Sequence, residues 1–364
     1  MTLDPIFSLL LHGVPRLGNE GFHPYIRGGT ASFAVAWLVL VSLSSLSLAA
    51  VPFNVSTLVF DDVYAPLFGD HNIHRSDDGK SVRLLLDRYT GSGFISQDLY
   101  HHGLFSASIK LPSEYTAGVV VAFYTSNGDV FEKTHDELDF EFLGNIRGKE
   151  WRVQTNVYGN GSTSRGREER YLLWFDPSKE FHQYSILWTT KTIIFYIDDV
   201  PIREVVRTPA MGGDYPSKPM ALYATIWDGS TWATSGGRYK ANYKYAPFVS
   251  EFSDLILEGC SVDPIQQVSE RCDEHESRLA TEEYAVMTPQ KRAAMQRFRQ
   301  RYMTYSHCYD RARYPTPMPE CVFIPEEKER FKNTGHLKFS PGHKRHHKRR
   351  SSTPTMKSDK QAYV

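Results

Sequence analysis

The chain has 364 residues, 41% of them hydrophobic and 13% aromatic, and its 42 Lys and Arg are balanced by 42 Asp and Glu. That apolar content supports a sizeable core and excludes a chain disordered throughout. A formal net charge of zero excludes a protein held to nucleic acid by its overall field, and the 21 Tyr, 21 Phe and 6 Trp suit a surface that stacks on sugar rings better than one that binds phosphate.

Residues 31–50, ASFAVAWLVLVSLSSLSLAA, form an uncharged apolar run that follows Arg27 and ends in small residues. This reads as a secretory signal cleaved near Ala49 or Ala50. The run approaches the length of a membrane span and has a long segment before it, so a signal anchor is the alternative.

From about 53 to 257 the sequence breaks into β-type runs: SVRLLLDRY, GLFSASIKL, AGVVVAFYT, ELDFEFLG, WRVQTNVY, HQYSILWTTKTIIFYIDD and KPMALYATIWD. Gly, Asn and Asp punctuate them and no long 3.6-residue period intervenes, which predicts an all-β sandwich or jelly roll. A hairpin is expected around 189–191 and a turn at Asp198 and Asp199.

After Cys260 the character changes. Thr288 followed by Pro289 is a helix start, and KRAAMQRFRQRYM spaces Ala294 with Phe298, and Met295 with Tyr302, at helical intervals, which predicts one amphipathic helix. The four cysteines, Cys260, Cys272, Cys308 and Cys321, lie at short spacings behind the apparent signal and read as disulfides. Of the three pairings open to them, the local ones, Cys260–Cys272 and Cys308–Cys321, are expected; neither pair has the CxxC spacing of a zinc site, and no metal is expected. From about 332 the chain turns polar, and HKRHHKRR at 343–350 reads as a basic run in a disordered tail, solvated or drawn to an acidic polysaccharide or membrane surface.

The stretch THDELDFEFLG, 134–144, carries Glu137, Asp139 and Glu141 at alternate positions, with Leu138, Phe140 and Phe142 between them. In a strand this puts three carboxylates on one face and three apolar side chains on the other. Stacked like charges repel and need a reason. Glu137 and Glu141 would have Cα atoms about 13 Å apart at a strand's rise. If both side chains lean inward, the carboxyls approach to about 5 Å, the separation of a retaining glycosidase's nucleophile and acid/base. Asp139 between them would couple their titrations. On spacing alone, an exposed acidic strand face or a calcium site fits as well.

HDELDFEFLG resembles the active-site signature of the xyloglucan endotransglucosylase/hydrolases, plant cell-wall enzymes of glycoside hydrolase family 16. FYTSNG, QTNVY, REERYLLWFDPSKEFHQYSILW, TWATSGG and YMTYSHCYDRARYPTPMPEC resemble further blocks of that family in order. The resemblance implies a concanavalin-like β-jelly-roll with an open cleft, with Glu137 as nucleophile, Glu141 as acid/base and Asp139 orienting and tuning the nucleophile. It implies sugar contacts from Gln154, Thr155 and Asn156, from Trp227, Thr231, Trp232 and Gly236, from Arg167 and Glu168 at the cleft edge, and from Arg313 on the acceptor side. The family's sequon directly after the signature is missing, since Asn145 is followed by Ile146 and Arg147; sequons occur instead at Asn160 and Asn54.

The organisation expected is a leader at 1–50, a catalytic jelly roll at 51–258, an extension with two disulfides and one helix at 259–331, and a basic tail at 332–364. The expected activity is cofactor-free transfer between xyloglucan chains in the cell wall by a secreted glycoprotein monomer that does not bind nucleic acid. An endohydrolase on xyloglucan or mixed-linkage glucan differs only in acceptor. A non-catalytic polysaccharide-binding module is the rival of another class, and it has no need for a clustered Glu-x-Asp-x-Glu set.

Overall fold

The computed structural model describes residues 57–262 and 270–337. The apolar run of 31–50, Asn54 and the basic run of 343–350 lie outside the described residues. In chain order a short helix α1 (Phe60–Val63) is followed by β1 (Tyr64–Phe68), β2 (Ile73–Arg75), β3 (Ser81–Leu86), β4 (Ser92–Ser96), β5 (Leu99–Lys110), β6 (Val119–Ser126), β7 (Glu137–Leu143) and β8 (Arg152–Tyr158). Then come β9 (Glu169–Tyr171), β10 (His182–Trp188), β11 (Thr192–Ile197), β12 (Val200–Val206), β13 (Ala221–Asp228) and β14 (Phe248–Val262). The chain continues through α2 (Glu270–Leu279), α3 (Pro289–Tyr302), β15 (Met303–Asp310), α4 (Pro325–Phe331) and β16 (Thr334–His336).

Two antiparallel sheets form a jelly-roll sandwich. One has nine strands in the order β1-β4-β13-β6-β7-β8-β9-β15-β16, the other seven in the order β12-β11-β10-β5-β14-β3-β2. The core lies between them, filled by the inward residue of each alternating pair: Phe140 meets Phe195 edge-on at 5.3 Å and Phe142 meets Tyr184 at 4.7 Å. Each of the seven predicted runs is a strand or, at 182–199, the predicted hairpin, whose turn is closed by Thr189 Oγ1 accepting from the N–H groups of Lys191 and Thr192. The turn at Asp198 and Asp199 leads straight into β12.

The extension differs from the single helix expected. α3 begins as its sequence indicates, with Thr288 Oγ1 accepting from Lys291 N–H at 3.2 Å, Pro289 in the first turn and Phe298 buried. α2 was not legible because ERCDEHESRL carries only two apolar residues, Cys272 and Leu279, among polar and charged ones. Tertiary contacts hold it: the Cys260–Cys272 disulfide, buried Leu279, and Glu276 Oε1, which accepts from the Thr190 N–H at 2.8 Å and its hydroxyl at 2.9 Å. β15 pairs with β9 and β16 with β15, so the extension completes the nine-stranded sheet rather than resting on a finished sandwich. The described chain runs six residues past 331, and β16 occupies part of what the sequence presents as tail.

A buried ionic cluster fastens the extension. Glu169 on β9 accepts from both terminal nitrogens of Arg299 on α3 at 2.6 and 2.9 Å, from Ser306 on β15 at 3.0 Å and from the Tyr171 hydroxyl at 2.5 Å. Arg299 also donates to Glu327 on α4 at 2.8 Å. Burial alone would raise the Glu169 carboxyl, but the Arg299 and Arg203 guanidiniums overcome it and hold the group well below the usual carboxylate range. The second disulfide, Cys308–Cys321, closes the loop after β15 as the local pairing expects.

Candidate active site

β7 is the central strand of the nine. Leu138, Phe140 and Phe142 are fully buried between the sheets, which turns Glu137, Asp139 and Glu141 to the outer face. Register sets their neighbours: Glu137 lies between Ser126 and Tyr158, Asp139 between Tyr124 and Asn156, and Glu141 between Ala122 and Gln154. The three acids line a depression of about 380 Å³ together with Phe68, Tyr124, Tyr158 and Trp227.

Both ends of β7 are pinned. Asp136, fully buried just before Glu137, accepts from the N–H groups of Asn160 at 2.7 Å, Ser217 at 2.8 Å and Lys218 at 2.9 Å, and from Lys218 Nζ at 2.8 Å. At the other end a Cβ on Gly144 would lie 2.0 Å from the Thr116 carbonyl oxygen, so only glycine closes the strand there.

Burial raises all three carboxyls, each for slightly different company. Glu141 is pushed up to about 7: burial is the main cause, the bond from Gln154 opposes it, and the charge of Glu168 adds to it. Glu137 is raised by burial and pulled back by the Ser126 hydroxyl, by His135, whose Nε2 lies 3.9 Å away, and by a hydrogen bond with Asp139. Asp139 is held well above the ordinary range by burial, then by the charges of Glu137 and Glu141. A protonated Asp139 is a donor to Glu137, so the three acids avoid ionising together.

A chain of charged hydrogen bonds runs outward from Glu141. Gln154 Nε2 donates to Glu141 Oε2 at 2.5 Å, and Arg170 Nε donates to Gln154 Oε1 at 2.6 Å. Arg170 Nη2 donates to Glu168 Oε2 at 3.0 Å, and Arg313 Nη1 donates to Glu168 Oε1 at 2.8 Å. Gln154, Glu168 and Arg313 are thus one connected set with an acid of β7. Asn156 also faces the depression side, where its Nδ2 donates to the Tyr158 hydroxyl at 2.5 Å.

Two expected sugar contacts are corrected. Thr155 is a strand neighbour of Gln154 and Asn156, so period two turns it inward: it is fully buried and its Oγ1 accepts from Arg203 at 2.9 Å. Arg167 is also fully buried, donating to Glu320 at 2.6 Å and Asp214 at 2.9 Å, and therefore fastens the Cys308–Cys321 loop instead of reaching a ligand. Trp227 lines the depression, and Trp232 stands beyond it with its ring 6.1 Å from that of Trp227. Thr231 and Gly236 are exposed in the loop after β13; a Cβ at Gly236 would meet no atom within 4 Å, and its φ of 67° is what glycine serves there. Asn160 is exposed at the turn after β8.

Sequence reasoning missed Tyr124, Tyr158, Phe68 and Arg170. Tyr158 was within reach, since it continues the Gln154, Asn156 alternation. Tyr124 and Arg170 depend on the register of β6 on β7 and of β9 on β8, and Phe68 on strands distant in sequence. Among the described residues one His/Cys group is tight enough to suggest a metal, His307 with Cys308 and Cys321, and both of its sulfurs are in the disulfide.

The model of glycosyl hydrolases family 16 matches residues 60–245, and that of the xyloglucan endo-transglycosylase C-terminus matches 274–321. The chain is 70% identical over 286 residues to the probable xyloglucan endotransglucosylase/hydrolase protein 30 of Arabidopsis thaliana, covering 79% of this chain and 83% of that one. It is 57% identical over 323 residues to the probable protein 29 of the same family and organism, covering 84% and 90%. Among solved structures, a Bacillus licheniformis beta-glucanase overlays 57% of this chain and 95% of its own at 22% identity and a TM-score of 0.44. The chain belongs to the xyloglucan endotransglucosylase/hydrolase family, within glycosyl hydrolases family 16.

Proposed function

We propose that this protein is a retaining endotransglucosylase that cleaves the β-1,4-glucan backbone of xyloglucan and passes the glycosyl group to another xyloglucan chain. The observation that carries the mechanism is the stack of Glu137, Asp139 and Glu141 in one depression, with Glu141 raised to about 7 and Asp139 bonded to Glu137. Family membership, and the names of the relatives above, support the substrate.

In this reading Glu137 attacks the anomeric carbon while Glu141 gives its proton to the departing glycosidic oxygen, and a covalent glycosyl-enzyme forms. Glu141, now a carboxylate, takes the proton of an incoming sugar hydroxyl, whose oxygen displaces Glu137 and restores the original configuration. Asp139 favours the ionised form of Glu137 by donating to it. Gln154 and Asn156 offer amides to sugar hydroxyls, and Trp227, with Trp232 and Thr231 beyond it, offers aromatic and hydroxyl contacts along the chain.

Secretion to the cell wall, cleavage of the leader, a monomeric state, glycosylation at Asn160 and Asn54, and contact of the basic tail with acidic wall polysaccharide belong to the same proposal. Exposed Asn160 suits a glycan acceptor.

The test is product analysis with xyloglucan and a labelled oligosaccharide acceptor. Label entering long chains in step with donor cleavage is the expected result. New reducing ends without label would make the protein a hydrolase, and binding without cleavage a polysaccharide-binding module.

The pH dependence follows from Glu141. The first step needs its protonated form, so donor cleavage should fall as pH rises through about 7, and fall again in acid where Glu137 becomes protonated. Initial rates of donor cleavage across pH check this. A rate still rising well above neutrality would remove Glu141 from the acid role.

A further inference from the structure

We propose that Arg170 is a positioning residue for Glu141, holding the Gln154 amide in one orientation, and that Glu168 ties that hold to Arg313 on the extension. This rests on the assignment of Glu141 as acid/base.

The geometry is directional. A guanidinium only donates, so Arg170 Nε, 2.6 Å from Gln154, requires the amide oxygen on its side. The amide nitrogen must then face Glu141, and it does, donating to Oε2 at 2.5 Å. An oxygen that accepts from Gln154 is the poorer place for the acidic proton, which leaves the proton to the other oxygen of Glu141. Without Arg170 the amide can turn over and present its oxygen to a protonated Glu141, stabilising the acid and misplacing its proton.

Arg170 is itself held from two sides: its guanidinium lies 5.2 Å from the Tyr305 ring on β15 and donates to Glu168, whose second oxygen is held by Arg313 at 2.8 Å. Tyr305 and Arg313 come from the extension, so the segment after β14 reaches the acid/base through this chain. The charged and titratable groups around Glu141 are Glu137 and Asp139 on its own strand, Tyr158 on β8, Arg170 on β9 and Glu168 just before β9; on β6 Ala122 lies opposite it and Tyr124 shares the depression. Of these, Arg170 lowers and Glu168 raises the affinity of Glu141 for its proton.

The experiment is the pH profile of donor cleavage for Arg170→Met and Arg170→Lys, and for Gln154→Met with and without Arg170→Met, each checked for folding by thermal melting. Arg170→Met should move the alkaline limb upward by at least about half a pH unit, and Arg170→Lys should recover part of the shift. Glu168→Gln removes a hold on Arg170 and a negative charge beside Glu141, effects of opposite sign, so the deciding variant is Gln154→Met: in that background Arg170→Met should move the limb no further, and a shift as large as in the protein with Gln154 would mean that Arg170 acts by its charge alone and overturn the proposal. Profiles that superimpose on the wild type, with only a uniform loss of rate, overturn the proposal. A parallel test of Glu141→Gln on an aryl glycoside with a good leaving group keeps the two claims apart. Retained formation of the glycosyl-enzyme there supports Glu141 as the acid whatever the relay does, and no rescue would remove the assignment beneath it.

Discussion

Glu137→Ala is expected to lower turnover by at least about 10⁴-fold, because it removes the atom that forms the covalent bond and no neighbour can substitute for it. Asp139 cannot: it stands two residues along β7 from the place of Glu137, opposite Tyr124 and Asn156, and burial together with the charge of Glu141 still disfavours its ionised form in the variant. The fold should survive, since Glu137 lies on the outer face of β7 while that strand's packing comes from Leu138, Phe140 and Phe142. The variant also loses one of three crowded acids, so its melting temperature should be unchanged or higher. Turnover and thermal melting measured on the same preparation check both halves. A folded variant with more than about a hundredth of wild-type turnover would exclude Glu137 as nucleophile.

Arg299→Ala is expected to cost about 3–5 kcal/mol of stability, because it leaves buried Glu169 with Arg203 as its one nearby cation beside the Ser306 and Tyr171 hydroxyls. Arg203 Nε is 3.7 Å from Glu169 Oε2, against 2.6 and 2.9 Å for the two bonds from Arg299. The sign with pH follows from the direction of the shift. Glu169 is depressed in the fold, so its contribution is present above the ordinary carboxylate range and is lost as pH falls through its lowered folded value. The gap between wild type and Arg299→Ala should therefore be full at neutral pH and narrow in strong acid. Denaturant melts at neutral and acidic pH measure it, and a loss below about 1 kcal/mol at neutral pH would show that the cluster does not fasten the extension.

The strands legible from sequence are those with clean alternation or a continuous apolar run, and the site on β7 is legible for the same reason: ELDFEFL spells out its two faces. What the sequence hid depends on pairing. β14 is a 15-residue strand whose register shifts twice, between Ser253 and Ile256 and between Gly259 and Cys260, so its alternation is broken in the text of the chain. β9, β15 and β16 are recognisable only through the sheet edge they extend. Thr155 and Arg167 show the limit of transferring whole motifs: QTN and RE each contain a residue that faces the other way, and burial separates it from its neighbours. Arg170 is the converse case, inside the block that begins at Arg167 yet not singled out by it, and two hydrogen bonds from Glu141.

The most direct measurement is mass spectrometry of the protein quenched during reaction with a xyloglucan oligosaccharide donor in the absence of acceptor. The expected result is a glycosyl adduct on the peptide that contains Glu137, which disappears with transfer of label when a xyloglucan oligosaccharide acceptor is added. No adduct, together with products of inverted anomeric configuration, would contradict the double-displacement mechanism and with it the transferase reading.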